Sequence, residues 1–296
     1  ARPLRAAGIP VACGGFHVSG CLAMLKTLPP DLVEARQLGI SMFAGEAEDG
    51  RMDEVLADAW AGALKPLYNH LKHTPNLAGA PIPLLSEGEI ARNINRYASF
   101  DLGRGCPFEC SFCTIINVQG RKSRFRTPDD LEAIVRENAA RGVSRFFVTD
   151  DNFARNKQWE AFLDRLIALR TEGLKVRLSI QVDTLAYKID RFIEKCHKAG
   201  ADFIFIGLEN INADSLEAVK KRQNRIEDYR RMFLAWKKYP LIVTCGYIIG
   251  FPNDTRESIL RDIETIKREF PIDTLYLNFL TSLPRSEDYK KLHEAG

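Results

Sequence analysis

The 296-residue chain predicts an α/β fold: a partial (β/α)6 TIM-like barrel preceded by a fragment of a Rossmann-like α/β domain. Three observations carry this expectation. From about residue 98 onward, short β-branched or aromatic runs alternate with helical stretches. Those stretches place apolar residues at i, i+3, i+4 and i+7, the spacing of one buried helix face. Before residue 64, two short apolar runs each end in a glycine turn that leads towards a helical segment. Strand–helix repetition of this kind implies parallel strands joined by right-handed crossovers.

Taken in order, residues 9–13 (IPVAC) read as a strand ending at Gly14-Gly15, and residues 39–43 (GISMF) as a second ending at Gly45-Glu46. Residues 52–63 read as a helix. Two strands are too few for an independent sheet, so the chain is expected to begin inside a larger α/β domain. Residues 64–97, punctuated by Gly79-Ala-Pro-Ile-Pro83, read as a linker. The domains expected are therefore 1–63, a linker at 64–97, and a barrel at 98–296. Barrel strands are expected at 99–103, 145–150, 176–182, 202–209, 241–250 and 274–280. Trp159, Phe162, Leu163, Leu166 and Ile167 form one helical stripe, and Leu185, Ile189, Phe192, Ile193 and Cys196 another. Thr127-Pro128 reads as an N-cap with proline at the first helical position. Asp254 to Glu257 reads as a variant capping box. In such barrels chemistry gathers at the carboxyl ends of the strands.

Composition narrows the function classes. Hydrophobic residues make up 45% of the chain, enough for a substantial core, and the net charge is only +3. No basic field over the whole chain argues for a nucleic-acid partner. No apolar run of about 18 residues is present, which argues against a membrane span. The apolar run in the first residues is too short and glycine-broken for a membrane span and lacks a convincing signal-peptide pattern, so a cytoplasmic protein is expected. Seven cysteines in a long chain make a poor disulfide framework.

Three of them cluster in GRGCPFECSFCTI, as Cys106, Cys110 and Cys113, with no fourth nearby. Cubane iron–sulfur clusters usually take four thiolates. Three would leave one iron open for an exchangeable ligand, as catalytic zinc keeps one site free. Zinc with a distant fourth ligand, or three metal-free thiols, fits the spacing as well. Cys196 and Cys245 read as packed thiols, Cys13 and Cys21 have no visible partners, and His70 and His73 fall in the linker. The basic run 121–126 reads as surface, or as a source of one arginine for an anionic ligand. No Ser-His-Asp set or phosphate-cradling glycine loop is present, and no catalytic side chain is assigned.

CPFECSFC, with Phe112 as the aromatic before the last cysteine, resembles the signature of the radical S-adenosylmethionine superfamily. The resemblance runs from about residue 98 to the end. It implies a [4Fe–4S] cluster on Cys106, Cys110 and Cys113. The free iron would chelate S-adenosylmethionine, and reduction would split the sulfonium to give a 5′-deoxyadenosyl radical. Further cofactor contacts implied are Asp150 and Asp151 after the second strand, where the family often has Gly-Gly-Glu. Others are Gln181 at the third strand, with Asp183 beside it, Glu209 at the fourth, and Ile248 and Gly250 in a G-x-I-x-G motif at the fifth. Gly14-Gly15-Phe16-His17 followed by Gly45-Glu46 resembles the cobalamin-binding subclass, where two such turns line the pocket for the nucleotide tail. The histidine motif that ligates cobalt in some cobalamin folds is absent from this sequence. The implied activity is cobalamin-dependent methylation or rearrangement of an unactivated carbon. The implied partners are a small-molecule or lipid-like substrate and an electron donor of the flavodoxin or ferredoxin type. The alternatives are a tRNA-modifying enzyme of the methylthiotransferase type and a non-catalytic metal-binding protein.

Overall fold

The computed structural model describes residues 1–93 and 97–295. Residues 94–96, inside the stretch read as a linker, and residue 296 lie outside the described residues. Two compact units result: one of Ala1–Asn76, Ser111–Arg121 and Thr281–Gly296, the other of Leu77–Cys110 and Lys122–Leu280.

In the first unit, β1 (Ala12–Cys13), β2 (Ser41–Ala44) and β3 (Leu67–Asn69) form a parallel sheet in that order. The stretch 64–97 is thus more than a connector, since it supplies β3 and a helix at Glu87–Arg92 closed by a Ser86/Glu89 capping box. β3 is too short to show a period in sequence. Its placement comes from pairing with β2 and from Tyr68, buried against Phe43 and hydrogen-bonded through its hydroxyl to Asp58 at 2.7 Å. The expected helix 52–63 runs as Arg51–Trp60.

The second unit is built on β4 (Tyr97–Phe100), β7 (Arg145–Val148), β8 (Arg177–Val182), β9 (Ala201–Glu209), β10 (Ile242–Ile249) and β11 (Thr274–Phe279). All six run parallel, each hydrogen-bonded to the next in that order. Among the described residues β4 and β11 do not pair, so the sheet is a partial (β/α)6 barrel with an open side. The short strands β5 (Gly103–Arg104) and β6 (Arg124–Phe125) form a separate antiparallel ladder around the cysteine loop.

The alternation of side chains along a strand sorts the residues between the two faces. On β9, Ile204, Ile206 and Leu208 are fully buried towards the helices, while Phe203, Phe205, Gly207 and Glu209 occupy the other face. Thr127 caps the helix Pro128–Ala140 through a capping box with Asp130. Two local expectations are corrected. The stripe 185–196 is not one helix: a short 3-10 turn, Ala186–Lys188, is followed by a helix at Phe192–Lys198, with Arg191 left-handed at φ 56° between them. The apolar spacing persists because both pieces press on the same core. The cap before the helix Arg256–Glu269 is Thr255 with Ser258, rather than Asp254 with Glu257. Asp254 instead accepts the Gly250 and Phe251 N–H groups at 2.8 and 2.9 Å.

Phe192 sits at the centre of an aromatic cluster, with Phe153, Trp159 and Trp236 rings 6.2, 5.1 and 6.2 Å away, the last two edge-on. Edge-to-face packing adds to the burial of these large side chains. Phe192→Ala should destabilise the protein by about 3–5 kcal/mol, read as a lower urea midpoint. A loss under about 1 kcal/mol would place the core elsewhere.

Candidate functional site

The cysteine loop begins where β4 ends, and one buried carboxylate fixes its departure. Asp150, just past β7, accepts the Leu102 and Gly103 N–H groups on Oδ1 at 2.7 and 2.8 Å and the Asn156 amide on Oδ2 at 2.9 Å. Burial pushes its carboxyl up to about 7, against the pull of these donors. Gly103 is required there, since a Cβ would stand 2.5 Å from Asn156 Nδ2 and 2.8 Å from the Arg124 carbonyl. Asp150, read from sequence as a candidate cofactor contact, therefore has one oxygen committed to the root of the loop and the other to Asn156. Asp151 beside it is exposed, yet loss of solvation pushes its carboxyl up to about 6.

Within the loop, Cys106 and Cys110 are close enough to interact electrostatically. Burial pushes the Cys106 thiol up, while the Phe108 N–H, the Lys221 ammonium and the Asn152 amide favour its thiolate. Cys110 is buried, and the Gln223 side-chain amide donates to its Sγ at 3.4 Å. Cys113 and Phe112 belong to the segment Ser111–Arg121, which groups with the first unit. Covalent connection alone keeps the Cys113 Cα within about 11 Å of that of Cys110. Among the described residues no three His, Cys, Asp or Glu side chains already surround a common metal position. The donor chemistry nevertheless fits an iron–sulfur group: soft thiols on one short loop, with two amides and a cation positioned to stabilise negative charge on sulfur.

The neighbouring strand ends extend this polar rim. Asp183, following β8, accepts Arg155 Nε and Nη2 at 2.6 and 2.8 Å and Asn152 Nδ2 at 2.9 Å. The Arg155 guanidinium lies 5.5 Å from the centre of the Phe108 ring, so this bidentate pair also braces the cysteine loop. At the end of β9, Glu209 takes a left-handed φ of 63° and pairs with Lys221 at 2.6 Å, with side chains 14% and 9% exposed. A Cβ at Gly207 would lie 2.9 Å from Glu209 Oε1 and 3.1 Å from Lys221 Nζ, so glycine leaves room for the pair. Thr184 Oγ1 donates to the Gln223 carbonyl and the Asn224 side-chain oxygen, and Asn224 Nδ2 to the Leu208 carbonyl at 2.6 Å, which fixes Lys221 and Gln223 above the strands. Gln181 lies on β8 opposite Phe205. Ile248 is near the end of β10, and Gly250 follows it at φ 105°.

The carboxyl ends of successive strands thus carry Cys106 and Cys110 after β4, Gln181 on β8, Glu209 on β9, and Ile248 and Gly250 at β10. Asn152, Arg155, Lys221 and Gln223 were missed in the sequence, where each is one polar residue in a loop. Arg126, from the basic run, is buried and bonded to Asp101 and to the Ala80 and Pro81 carbonyls, so it serves the fold.

In the first unit, the two glycine turns stand side by side at the ends of β1 and β2, and the buried Ser19 hydroxyl accepts the Gly45 N–H at 3.0 Å. Gly14 lies so close to β2 that a Cβ would be 3.0 Å from the Phe43 carbonyl, and Gly15 and Gly45 have φ of 86° and 113°. Glu46 follows Gly45, and its carbonyl accepts Arg51 Nη1 at 3.1 Å. His17 pairs with Asp31 at 2.6 Å on the exposed side of its helix. His70, expected in a linker, follows β3 and packs against Gly45, and its Nε2 is buried without a partner. An orphaned polar atom beside the glycine turns at these strand ends fits the general place of ligands in an open α/β sheet.

A family profile described as the Radical SAM superfamily matches residues 101–266. The chain belongs to the radical SAM superfamily. Among curated relatives it is 24% identical to bacteriochlorophyllide d C-12(1)-methyltransferase of Chlorobaculum tepidum, over 98% of this chain and 61% of that protein. It is 27% identical to hopanoid C-2 methylase of Rhodopseudomonas palustris, over 97% and 53%. Among solved structures, the radical S-adenosylmethionine methyltransferase TsrM of Kitasatospora setae superposes with a TM-score of 0.75 at 15% identity, covering 94% of this chain and 57% of that one. A second structure of TsrM, with cobalamin and a [4Fe–4S] cluster bound, gives 0.74. The likeness to TsrM is one of fold. The chain spans between half and two thirds of the length of these proteins.

Removing one partner of the buried Glu209–Lys221 pair should cost more than removing both. Lys221→Met is expected to lose about 3–5 kcal/mol, and Lys221→Met with Glu209→Leu to recover most of it. Urea unfolding of the two variants measures this, and additive losses would mean the pair is not coupled.

Proposed function

We propose that this chain carries the cofactor-binding part of a cobalamin-dependent radical S-adenosylmethionine enzyme that methylates an unactivated carbon. Cys106, Cys110 and Cys113 would hold a [4Fe–4S] cluster, whose open iron would take the amino and carboxylate groups of S-adenosylmethionine. When bound, the cluster supplies the electron that splits the sulfonium. The chain's own residues orient and insulate. Asn152 and Gln223 give N–H donors to the thiolates, Lys221 places a cation beside Cys106, and Asp150 and Arg155 hold the loop in place. Gln181, Glu209, Ile248 and Gly250 would meet the rest of S-adenosylmethionine, and Asp151, next to the loop tie, would offer a carboxylate. The paired turns Gly14-Gly15 and Gly45-Glu46, with His17 on the same helix and His70 beside Gly45, would receive the cobalamin tail. Ring closure or another rearrangement would use the same start. A small-molecule or lipid-like substrate and a flavodoxin- or ferredoxin-type donor complete the reading.

The observation that carries the proposal is the convergence of Asn152, Lys221 and Gln223 on the thiols of Cys106 and Cys110, at the end of the first strand of an open six-stranded parallel barrel. Methyltransferases among both the curated relatives and the fold neighbours support the branch. Anaerobic reconstitution tests it. Iron and sulfide near four per chain, 5′-deoxyadenosine on reduction with S-adenosylmethionine, and corrinoid retained through desalting are expected. A colourless zinc-loaded protein inert towards S-adenosylmethionine would sink the reading. Cys110→Ala should lose the cluster and cofactor cleavage together. Gln223→Leu should keep the cluster but lower its midpoint potential by tens of millivolts, because N–H···S bonds favour the reduced state; an unchanged potential would leave the amide a purely structural part.

A further inference from the structure

The inner face of the barrel carries a recess that meets the cofactor rim only at Gln181. Its volume is about 370 Å3, and Phe147, Phe203, Phe205 and Tyr276 wall it, with the Gln181 and Asn278 amides among them. Among the described residues no charged side chain lines it. Phe203 and Phe205 are alternate residues of β9, and Tyr276 and Asn278 alternate residues of β11, so all four project from one face.

Gly246 on β10, between those strands, makes the recess possible. A Cβ there would stand 3.2 Å from Phe205 Cζ and 3.6 Å from Asn278 Nδ2. Without one, the Phe205 and Tyr276 rings approach across β10 to 6.3 Å between centres, tilted by 42°. Tyr276 remains 46% exposed. Half-exposed aromatic rings facing a concavity are the usual walls of a pocket for an apolar ligand, and a few amides fix its orientation. The size lies at the small end of such pockets, about 300–1,000 Å3. Facing aromatic rings favour a flat conjugated body by stacking or edge contact, and a group ionised inside uncharged walls would lose hydration without a partner.

We propose that this recess binds the carbon substrate of the reaction, and that it takes a flat, uncharged, conjugated ring system carrying a carbonyl or N–H group. This rests on reading the chain as a radical S-adenosylmethionine methylase. Phe203, Phe205 and Tyr276 stack on the ring body, and Asn278 bonds its polar edge. A nucleotide, which would bring phosphates into the recess, is disfavoured on the same ground.

The test is a fluorescence titration of the anaerobic full-length chain with acridone, a flat uncharged tricycle with one carbonyl and one N–H. Anthracene-9-carboxylate and adenosine monophosphate serve as charged comparisons. Acridone should bind saturably, anthracene-9-carboxylate at least about tenfold more weakly, and adenosine monophosphate should not compete. Phe205→Ala and Tyr276→Ala should each weaken acridone by about tenfold, and Phe205→Tyr and Tyr276→Phe should keep it near wild type. No saturable acridone binding, equal or tighter binding of either anion, or indifference to both alanine variants would overturn the proposal. Thermal melting of each variant separates lost binding from lost folding, and the conservative pair decides the case if the alanine variants fail to fold. Cluster content and S-adenosylmethionine cleavage in the same preparation distinguish the two failures. Acridone binding without cleavage leaves the recess and removes the radical chemistry, and cleavage without acridone binding does the reverse.

Discussion

The carboxylate of Asp150 is the constraint on which the site depends. It reaches from the end of β7 to the two N–H groups at the root of the cysteine loop, and Asn156 holds its other oxygen. Backbone donors leaving a strand have no ladder partner, and burying them unpaired would cost about 1–3 kcal/mol each. One side chain meets both, and so sets the direction in which Cys106 leaves the barrel. Gly103 belongs to the same device, because any side chain there would displace Asn156.

A second tie acts on the same loop from farther round the rim. Asn152 joins Asp183 and stands beside Cys106, and Arg155 joins Asp183 and covers Phe108. Asn152 and Arg155, both in the turn after β7, thus bind the ends of β7 and β8 to the thiol loop. A site that must hold reacting groups to a fraction of an ångström needs such support from rigid elements. The Glu209–Lys221 pair plays the same part at β9, where Glu209 is kept in a left-handed conformation that few non-glycine residues adopt. Strain of this kind persists where surrounding contacts over-determine it.

Much of the fold was legible because its signals are local. The β-branched runs of β8 to β11 are bounded by polar or glycine-rich turns, Thr127-Pro128 marks a helix start, and three cysteines in eight residues mark the loop. What stayed hidden depends on distance along the chain. Gln223 meets Cys110 across 113 positions, and Arg155 meets Asp183 across 28. No periodicity announces an amide or guanidinium that acts alone in a loop. β3 was missed because three residues give no alternation to count, and with it went the place of His70 beside Gly45. Asp150 was legible as a candidate cofactor contact but not as the anchor of the cysteine loop, since a sequence does not say which donors a carboxylate will find. The stripe 185–196 misled in the opposite way: its apolar spacing is real, but the chain breaks at left-handed Arg191, between the 3-10 turn and the helix.

The rim and the inner face of the barrel divide the chemistry between them. The rim is dense with amides, a lysine and paired carboxylates, as befits thiolates and a zwitterionic sulfonium that must be fixed by charge and hydrogen bonds. The recess on the inner face is aromatic and uncharged. Under the proposed reading, that contrast follows from the reaction itself. A carbon radical reacts with the nearest available hydrogen, so its partner must be held by shape rather than by groups that bring water with them. Aromatic walls meet both needs, since they have few rotatable bonds and exclude solvent. The alternation of β9 then allots the roles residue by residue: Phe203 and Phe205 wall the recess, and two further steps along the same face Gly207 and Glu209 carry the strand into the polar rim.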